Sequence, residues 1–137
     1  PVLQHFLDAE LERLKLPPSA LALVGFSQGT MMALHAGLRR PTAPAAIVGY
    51  SGMFVLPNDG PPDAIAGEIK SKPPVLLVHG DQDELIPVQA LFMAAQALAA
   101  LEVPVEWHIS SGIGHGIDQE GLRHGGEFLA RRFGLRG

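Results

Sequence analysis

The sequence predicts an α/β fold built around a mostly parallel sheet, and three observations support this class. Segments with apolar residues at helical spacing alternate along the chain with short apolar runs that are typical of buried strands. The clearest run, PVLLVHG at 74–80, is apolar at successive positions, as expected for a parallel strand covered on both faces. No internal repeat or linker interrupts the alternation, so we expect one α/β domain over residues 1–137.

The elements follow from local patterns. Apolar residues at helical spacing predict a first helix, and Pro17 and Pro18 end it. These residues are Leu3, Phe6, Leu7, Leu11 and Leu14. In the last helix, 118–133, the stripe expected to be buried is Leu122, Leu129 and Phe133. Between them we predict strand 21–25, helix 28–39, strand 45–50, loop 51–63, a helical turn at 64–70, strand 74–80, helix 88–101 and strand 103–109.

The composition excludes several classes of function. The chain has 137 residues, of which 47% are hydrophobic and 18% charged, so it can bury a sizeable core. Its formal net charge is −4 and no Lys/Arg cluster exceeds a pair, so we expect no nucleic-acid partner. No apolar run approaches the roughly 20 residues that span a bilayer. Because cysteine is absent, disulfides, thiolate metal sites and a cysteine nucleophile are excluded.

A serine stands between two glycines where a predicted strand meets a predicted helix. The stretch Gly25-Phe26-Ser27-Gln28-Gly29 fits G-x-S-x-G, the pattern that presents a nucleophilic serine on a tight strand-to-helix turn. We expect glycine at both outer positions because a side chain there would collide with the neighbouring strand and helix. The helix N-terminus has free N–H groups that can stabilise an oxyanion. A serine that only caps the helix is the alternative interpretation.

Six histidines are candidates for the base that such a serine needs. His115 stands in the glycine-rich loop SGIGHGID between the last strand and the last helix, and this loop can carry an imidazole to the carboxyl edge of the sheet. An ordinary surface histidine is the alternative. His79 ends a strand just before Gly80 and is the second candidate. The others lie in predicted helices or a strand, where solvated or core positions are expected: His5, His35, His108 and His124.

The acid is expected in the loop that follows strand 74–80, where Asp81, Asp83 and Glu84 compete. Asp81 directly follows Gly80 and is well placed to make a hydrogen bond within its own turn. Asp83 is further along the loop and better able to turn toward a neighbouring loop, so we predict Asp83 as the acid. Asp118 is expected to cap the last helix.

Ser27, Asp83 and His115 occur in the Ser…Asp…His order of the α/β-hydrolases, and each follows a different strand. With these residues the chain resembles the phospholipase/carboxylesterase group of that superfamily, which includes the acyl-protein thioesterases. Thr30 stands where the group usually has glycine. Four segments carry the resemblance in family order: GFSQGT, YSGMF, VHGDQDELIPV and GIGHGI.

The resemblance implies the α/β-hydrolase fold, with helices on both faces of the sheet, and a cytoplasmic serine hydrolase that cleaves small carboxylic esters, thioesters or lysophospholipids. Ser27 would be the nucleophile, His115 the base and Asp83 the acid, with the Gln28 N–H as an oxyanion donor. No cofactor and no metal are expected. Six loop residues are expected to line an acyl pocket: Met53, Phe54, Leu85, Ile86, Ile113 and Ile117.

The family fold normally opens with several strands and an H-G-G-type loop, and residues 1–137 lack this part. We therefore expect a C-terminal part of a domain, in which strand 21–25 is an open apolar edge. It would be ordered only beside the remainder of its own chain, a nicked fragment or a second copy. Two other functions stay open: a peptidase or lipase on the same fold, and a truncated or inactive hydrolase that acts as a binding or assembly module.

Overall fold

Four strands form one parallel sheet. The structure, a computed structural model, describes residues 2–56 and 60–135. The strands lie across the sheet in chain order, and every neighbouring pair is parallel. All four carboxyl ends therefore meet at one edge. The strands are β1 (Ala22–Phe26), β2 (Ala46–Tyr50), β3 (Val75–Gly80) and β4 (Val105–Ser110).

Helices connect these strands, as the alternating pattern predicts. The predicted turn at 64–70 is a 3₁₀ helix, Pro62–Glu68, and in the predicted loop 51–63 residues 57–59 lie outside the described residues. The last strand begins later than predicted, at Val105, because Pro104 has no N–H to donate to a ladder. No helix in the described ranges is long and apolar enough to cross a bilayer. The α-helices are α1 (Val2–Leu14), α2 (Gln28–Leu38), α3 (Gln89–Ala100) and α4 (Gln119–Arg132).

The sheet is packed on both faces, which confirms the predicted layers. On one face α2, α3 and the 3₁₀ helix cover the larger core, whose fully buried members include Leu34, Leu38, Ile47, Ile65, Val75, Leu91 and Leu98. On the other face α4 covers a smaller core formed by Ala46, Val48, Tyr50, Leu76, Val78 and Phe128. Because both faces of β2 and β3 are covered, their side chains are buried at every position, and these two strands form a rigid base for the loops that follow them.

The buried face of α4 matches the predicted stripe only at Leu129, which is partly buried and packs against the smaller core. Leu122 is 58% exposed and Phe133 is 42% exposed, whereas Phe128 and two glycines, Gly121 and Gly125, face the sheet. A side chain at Gly125 would overlap the Tyr50 hydroxyl, so glycine lets the helix approach the strand closely. The Tyr50 hydroxyl donates a hydrogen bond to the Gly121 carbonyl at 3.1 Å. The prediction was wrong at Leu122 and Phe133, because apolar periodicity does not identify glycine as a packing residue.

The sheet has two edges, β1 and β4. Within residues 2–56 and 60–135, β1 pairs with β2 on one side and with no strand on the other. Val24 and Phe26 of β1 are 58% and 41% exposed. A strand edge of this kind carries unpaired N–H and C=O groups that can pair with another strand.

Candidate active site

Each strand delivers one polar residue to the carboxyl edge of the sheet. Ser27 follows β1, Ser51 follows β2, Asp83 lies in the loop after β3, and His115 lies in the loop after β4. In open α/β sheets this edge is where ligands bind, because the loops there converge on a common space. The topology therefore gathers residues that are far apart in the sequence.

Ser27 sits in a strained turn between β1 and α2. Its φ is 56° and its ψ is −115°, a conformation that non-glycine residues rarely adopt. Two features of the turn hold it there. The Ser27 N–H donates to the Tyr50 carbonyl at 2.8 Å, and a Cβ at Gly25 would overlap the backbone of Gly29 and Thr30. The turn is therefore closed so tightly that only glycine fits at position 25.

Gly29 does not have the role that the sequence suggested. Among the described residues, a Cβ added at Gly29 would meet nothing within 4 Å, so no strand or helix in this part of the chain requires glycine at this position. The turn is crowded only at Gly25, because the backbone at the start of α2 packs against Gly25, whereas Gly29 faces away from β1. The expectation of a steric requirement at both glycines was wrong for this one.

Three hydrogen bonds anchor the loop that carries His115. The Ser51 hydroxyl donates to the Gly116 carbonyl at 3.1 Å, the Gln82 N–H donates to the Ile113 carbonyl at 2.9 Å, and the Gly112 N–H donates to Asp81 Oδ1 at 2.8 Å. A side chain at residue 80 would overlap the carbonyls of this loop, so Gly80 allows the close approach. The glycine-rich loop is therefore held in one conformation by its neighbours.

A chain of hydrogen bonds joins the three residues that the sequence singled out. His115 Nε2 lies 3.1 Å from Ser27 Oγ, and His115 Nδ1 lies 2.7 Å from Asp83 Oδ2. Because a carboxylate only accepts, Nδ1 carries the proton and Nε2 is free to accept from the serine hydroxyl. The Phe26 ring stands beside the imidazole, with centroids 5.0 Å apart.

The Asp83 carboxyl is buried, and its side chain has no exposed surface. Burial raises its pKa, but hydrogen bonds from the Ile86 N–H, from His115 and from the Leu85 N–H outweigh burial and hold the pKa below the usual 3.8. Oδ1 accepts both backbone bonds, at 2.9 Å from Leu85 and 2.8 Å from Ile86, which leaves Oδ2 for His115. The residue is therefore ionised at neutral pH and oriented toward the imidazole.

The other candidates lie elsewhere. Asp81 is exposed and accepts a hydrogen bond from the Gly112 N–H in the His115 loop. The sequence had predicted a partner within the turn of Asp81 itself, and this prediction was wrong. Glu84 is exposed. His79 is buried and hydrogen-bonds the Ile86 carbonyl at 2.7 Å, and no hydrogen bond joins it to Ser27 within the described ranges. Asp118 caps α4, as predicted, by accepting from the Gly121 N–H at 2.9 Å.

The first turn of α2 begins directly after Ser27. N–H groups in the first turn of a helix have no intrahelical acceptor, and the Ser27 side chain caps none of them. The Gln28 N–H accordingly has no acceptor in the part of the chain that the structure describes. It is a free donor next to the serine, at the positive end of a helix dipole.

Two of the residues predicted for an acyl pocket, Met53 and Phe54, line different cavities among the described residues. Met53 lines a small cavity with Thr30, Leu91 and His79, whereas Phe54 lines a groove of about 900 Å³ between α1 and α2. Leu85 and Ile117 are 75% and 39% exposed. Ile86 and Ile113 each contribute a backbone carbonyl to the hydrogen bonds described above. Among the described residues, no three His, Asp or Glu side chains gather as a metal site would require.

Two buried residues around Ser27 were not recognised from the sequence as part of the site. The Thr30 hydroxyl lies 3.0 Å from the Gly25 carbonyl and 2.9 Å from the Tyr50 carbonyl, so it ties the serine turn to β2. Ser51 has a φ of 51° and holds the His115 loop. Only their position in the sequence could have indicated a role in the site, since both lie in segments that carry the family resemblance.

Comparison with known proteins agrees with this architecture. The sequence profile of the phospholipase/carboxylesterase family matches residues 1–132. The chain is 30% identical over 115 residues to acyl-protein thioesterase 1 of Gibberella zeae, covering 84% of this chain and 49% of that protein. It is 35% identical over 85 residues to acyl-protein thioesterase 1 of Schizosaccharomyces pombe, covering 62% and 37%.

The fold is similar to that of the crystal structure of esterase PE8, with a TM-score of 0.88 and 44% sequence identity over 96% of this chain and 59% of that one. The chain thus spans about half the length of the curated relatives it matches. From the match of the family profile to nearly every residue, together with the parallel sheet and its helices, the chain belongs to the phospholipase/carboxylesterase family of α/β-hydrolases.

Proposed function

We propose that the protein is a serine hydrolase that cleaves carboxylic esters at Ser27. The observation that carries the proposal is the hydrogen-bonded series Ser27–His115–Asp83, with distances of 3.1 Å and 2.7 Å. A serine hydroxyl is a weak nucleophile unless a base accepts its proton, and the base works best when a third group orients it. Membership of a family whose relatives are named esterases and thioesterases supports the same activity.

In the proposed reaction, His115 Nε2 takes the Ser27 proton while Oγ attacks the ester carbonyl. The resulting tetrahedral intermediate collapses to an acyl-enzyme as the protonated imidazole gives its proton to the leaving alcohol. His115 then takes a proton from water as the water attacks the acyl-enzyme. The second tetrahedral intermediate releases the carboxylic acid as the imidazolium returns this proton to Ser27 Oγ. The Asp83 carboxylate stabilises the imidazolium in both halves of the reaction. The Gln28 N–H donates to the oxyanion.

Thioesters and lysophospholipids contain the same acyl group with a different leaving group, and we propose them as further substrates. The thioester proposal is supported by the names of two relatives, acyl-protein thioesterase 1 from Gibberella zeae and from Schizosaccharomyces pombe. The substrate is a small molecule or a short acylated segment that reaches Ser27 from the carboxyl edge of the sheet.

We further propose that, in the intact protein, the β1 edge pairs with a strand outside the described residues. The exposed side chains of Val24 and Phe26 and the unpaired backbone of β1 support this proposal. A strand beside β1 would bring its following loop close to Ser27, where a second oxyanion donor is needed.

A fluorophosphonate probe tests the proposed function, because it labels only an activated serine. In the natural full-length protein we expect labelling of Ser27, which the Ser27→Ala variant abolishes, and hydrolysis of p-nitrophenyl esters and acyl-thioesters. Absence of both labelling and turnover would instead favour a binding or assembly module. Turnover of peptide anilides in preference to esters would favour a peptidase.

A further inference from the structure

A buried histidine lies under the loop that carries Asp83. His79 is the fifth residue of β3, its side chain is 1% exposed, and it precedes Asp83 by four positions. Histidine is seldom buried without a polar partner, because burying an unpaired donor is costly. The role of this imidazole is not explained by the proposed reaction, in which His115 alone exchanges protons with Ser27.

The partner of His79 is a backbone carbonyl in the loop after β3. His79 Nε2 lies 2.7 Å from the oxygen of Ile86. A carbonyl oxygen only accepts hydrogen bonds, so Nε2 carries the proton and donates it. The same nitrogen lies 3.5 Å from Asp83 Oδ2, so its proton also faces the carboxylate that binds His115.

Ile86 is therefore held at both of its backbone polar groups. Its carbonyl accepts from His79, and its N–H donates to Asp83 Oδ1 at 2.8 Å. Pro87 restricts the backbone of Ile86 to extended conformations, which favours this arrangement. With Oδ1 occupied, Oδ2 remains for His115 Nδ1 at 2.7 Å. The bonds form a continuous path from His79 through Ile86 and Asp83 to His115.

We propose that His79 is a positioning residue, which holds Asp83 Oδ2 in hydrogen-bonding position for His115 by fixing the carbonyl of Ile86. This proposal rests on the proposed function, since it assigns His79 a part in orienting the base. Glu84 and Leu85 on the outer side of the loop are exposed, so within the described part of the chain no packing on that side substitutes for the bond from His79. Without that bond, the loop and the carboxylate shift relative to the imidazole.

Two nearly isosteric substitutions separate the donor from the bulk of the side chain. His79→Gln retains an N–H that reaches the Ile86 carbonyl, whereas His79→Met fills the space and donates nothing. In the natural full-length protein we expect His79→Met to lower kcat roughly 10²-fold with little change in KM, because a displacement of about 1 Å suffices for such a loss. His79→Gln should restore most of kcat. His108→Met, in the neighbouring strand β4, is the matched control and should retain kcat.

The proton between His115 Nδ1 and Asp83 gives a second readout that needs no turnover. A short bond to a carboxylate moves this proton to low field in the NMR spectrum. We expect the low-field resonance in the parent protein and in His79→Gln, and its loss or broadening in His79→Met. Equal kcat in all three proteins, or loss of kcat in His79→Met with an unchanged resonance, would overturn the proposal.

The two proposals fail in different ways. If the parent protein neither turns over esters nor reacts at Ser27 with a fluorophosphonate, the proposed function fails, while the resonance still tests the positioning role of His79. If His79→Met does not fold, as thermal unfolding would show, nitrogen-15 NMR of the parent decides the matter. A proton on His79 Nε2 supports the proposal, and a proton on Nδ1 alone overturns it.

Discussion

His115 Nε2 lies 3.1 Å from the Oγ of Ser27, although 88 residues separate them in the chain. Each of them depends on the other in the proposed mechanism, because the serine is unreactive without the base and the base has no proton to take without the serine.

Ser27→Ala and His115→Ala should therefore each lower esterase kcat by roughly 10⁴-fold or more, and the double variant should lose no more than either single one. Steady-state and single-turnover kinetics on a p-nitrophenyl ester measure this. Near-normal turnover in either single variant would contradict the assignment.

Asp83 and Asp81 lie two residues apart and give a matched pair of substitutions. Asp83→Asn keeps the shape but offers an amide to His115, which favours the wrong tautomer, so we expect kcat to fall by about 10⁴-fold. Asp81→Asn keeps an oxygen for the Gly112 N–H and should leave kcat nearly unchanged. The reverse ranking in steady-state kinetics would move the acid to Asp81.

The depressed pKa of Asp83 predicts how stability depends on pH. Because the pKa of the folded protein is below the ordinary 3.8, the carboxylate stabilises the fold at pH values above about 4, and this contribution disappears as pH falls through the folded value. The free energy of unfolding of the parent should therefore exceed that of Asp83→Asn by a constant amount near neutral pH and by progressively less in acid. Titratable groups that do not contact Asp83 are common to both proteins and cancel in the difference. Urea unfolding between pH 2 and 7 measures the difference, and a gap that widens in acid would contradict the sign.

Most helices and strands could be predicted from the sequence, because apolar periodicity and the Gly and Pro residues that end elements act over short stretches of chain. Chain order and position after a strand indicated the residues of the candidate site. These two signals are informative because a parallel α/β pattern places the carboxyl ends of all strands at one edge of the sheet. The catalytic roles of Ser27, Asp83 and His115 stay predictions. Position in the loop favoured Asp83 over Asp81, but the interaction that orients Asp83 could not be predicted, because the Leu85 and Ile86 N–H groups reach its carboxylate only in the folded loop.

Contacts to the backbone were not predictable from residue types. The partner of His79 is the Ile86 carbonyl and that of Ser51 is the Gly116 carbonyl, and every residue has such an oxygen. Glycine packing was missed for a related reason. Gly125 contributes by lacking a side chain where Tyr50 needs the space, a requirement that appears only when the helix is docked on the sheet.

The open edge of β1 predicts the behaviour of residues 1–137 when they are produced by themselves. We expect association in light scattering and low ester turnover, since the loss of one oxyanion donor costs about 10²–10³-fold in kcat. Lysine at an edge discourages strand pairing, so Val24→Lys should reduce association, whereas Trp107→Lys on the opposite edge strand β4 should not. A monodisperse monomer with the full activity of the natural protein would contradict the proposal that β1 needs a partner strand.

Thr30 and Gly49 should be energetically coupled. A Cβ at Gly49 would lie 2.5 Å from Thr30 Cγ2, and the next nearest atom, of Leu77, is 3.3 Å away. Gly49→Ala should therefore destabilise the protein by about 1–3 kcal/mol through overpacking. Thr30→Ser removes the obstructing methyl but keeps the hydroxyl that bonds the Gly25 and Tyr50 carbonyls.

In the Thr30→Ser background, Gly49→Ala should consequently cost much less, and a double-mutant cycle measured by urea unfolding of the natural protein gives the coupling directly. Gly52→Ala is the control for this cycle. Its Cβ would lie 2.7 Å from the same Thr30 methyl, but it would also lie 2.9 Å from the Ser27 carbonyl oxygen and overlap the Cβ of Thr30. The serine substitution removes neither of these last two obstructions, so Gly52→Ala should be rescued much less than Gly49→Ala. Equal rescue of both alanine variants, or of neither, would show that the Thr30 methyl is not what requires glycine at position 49.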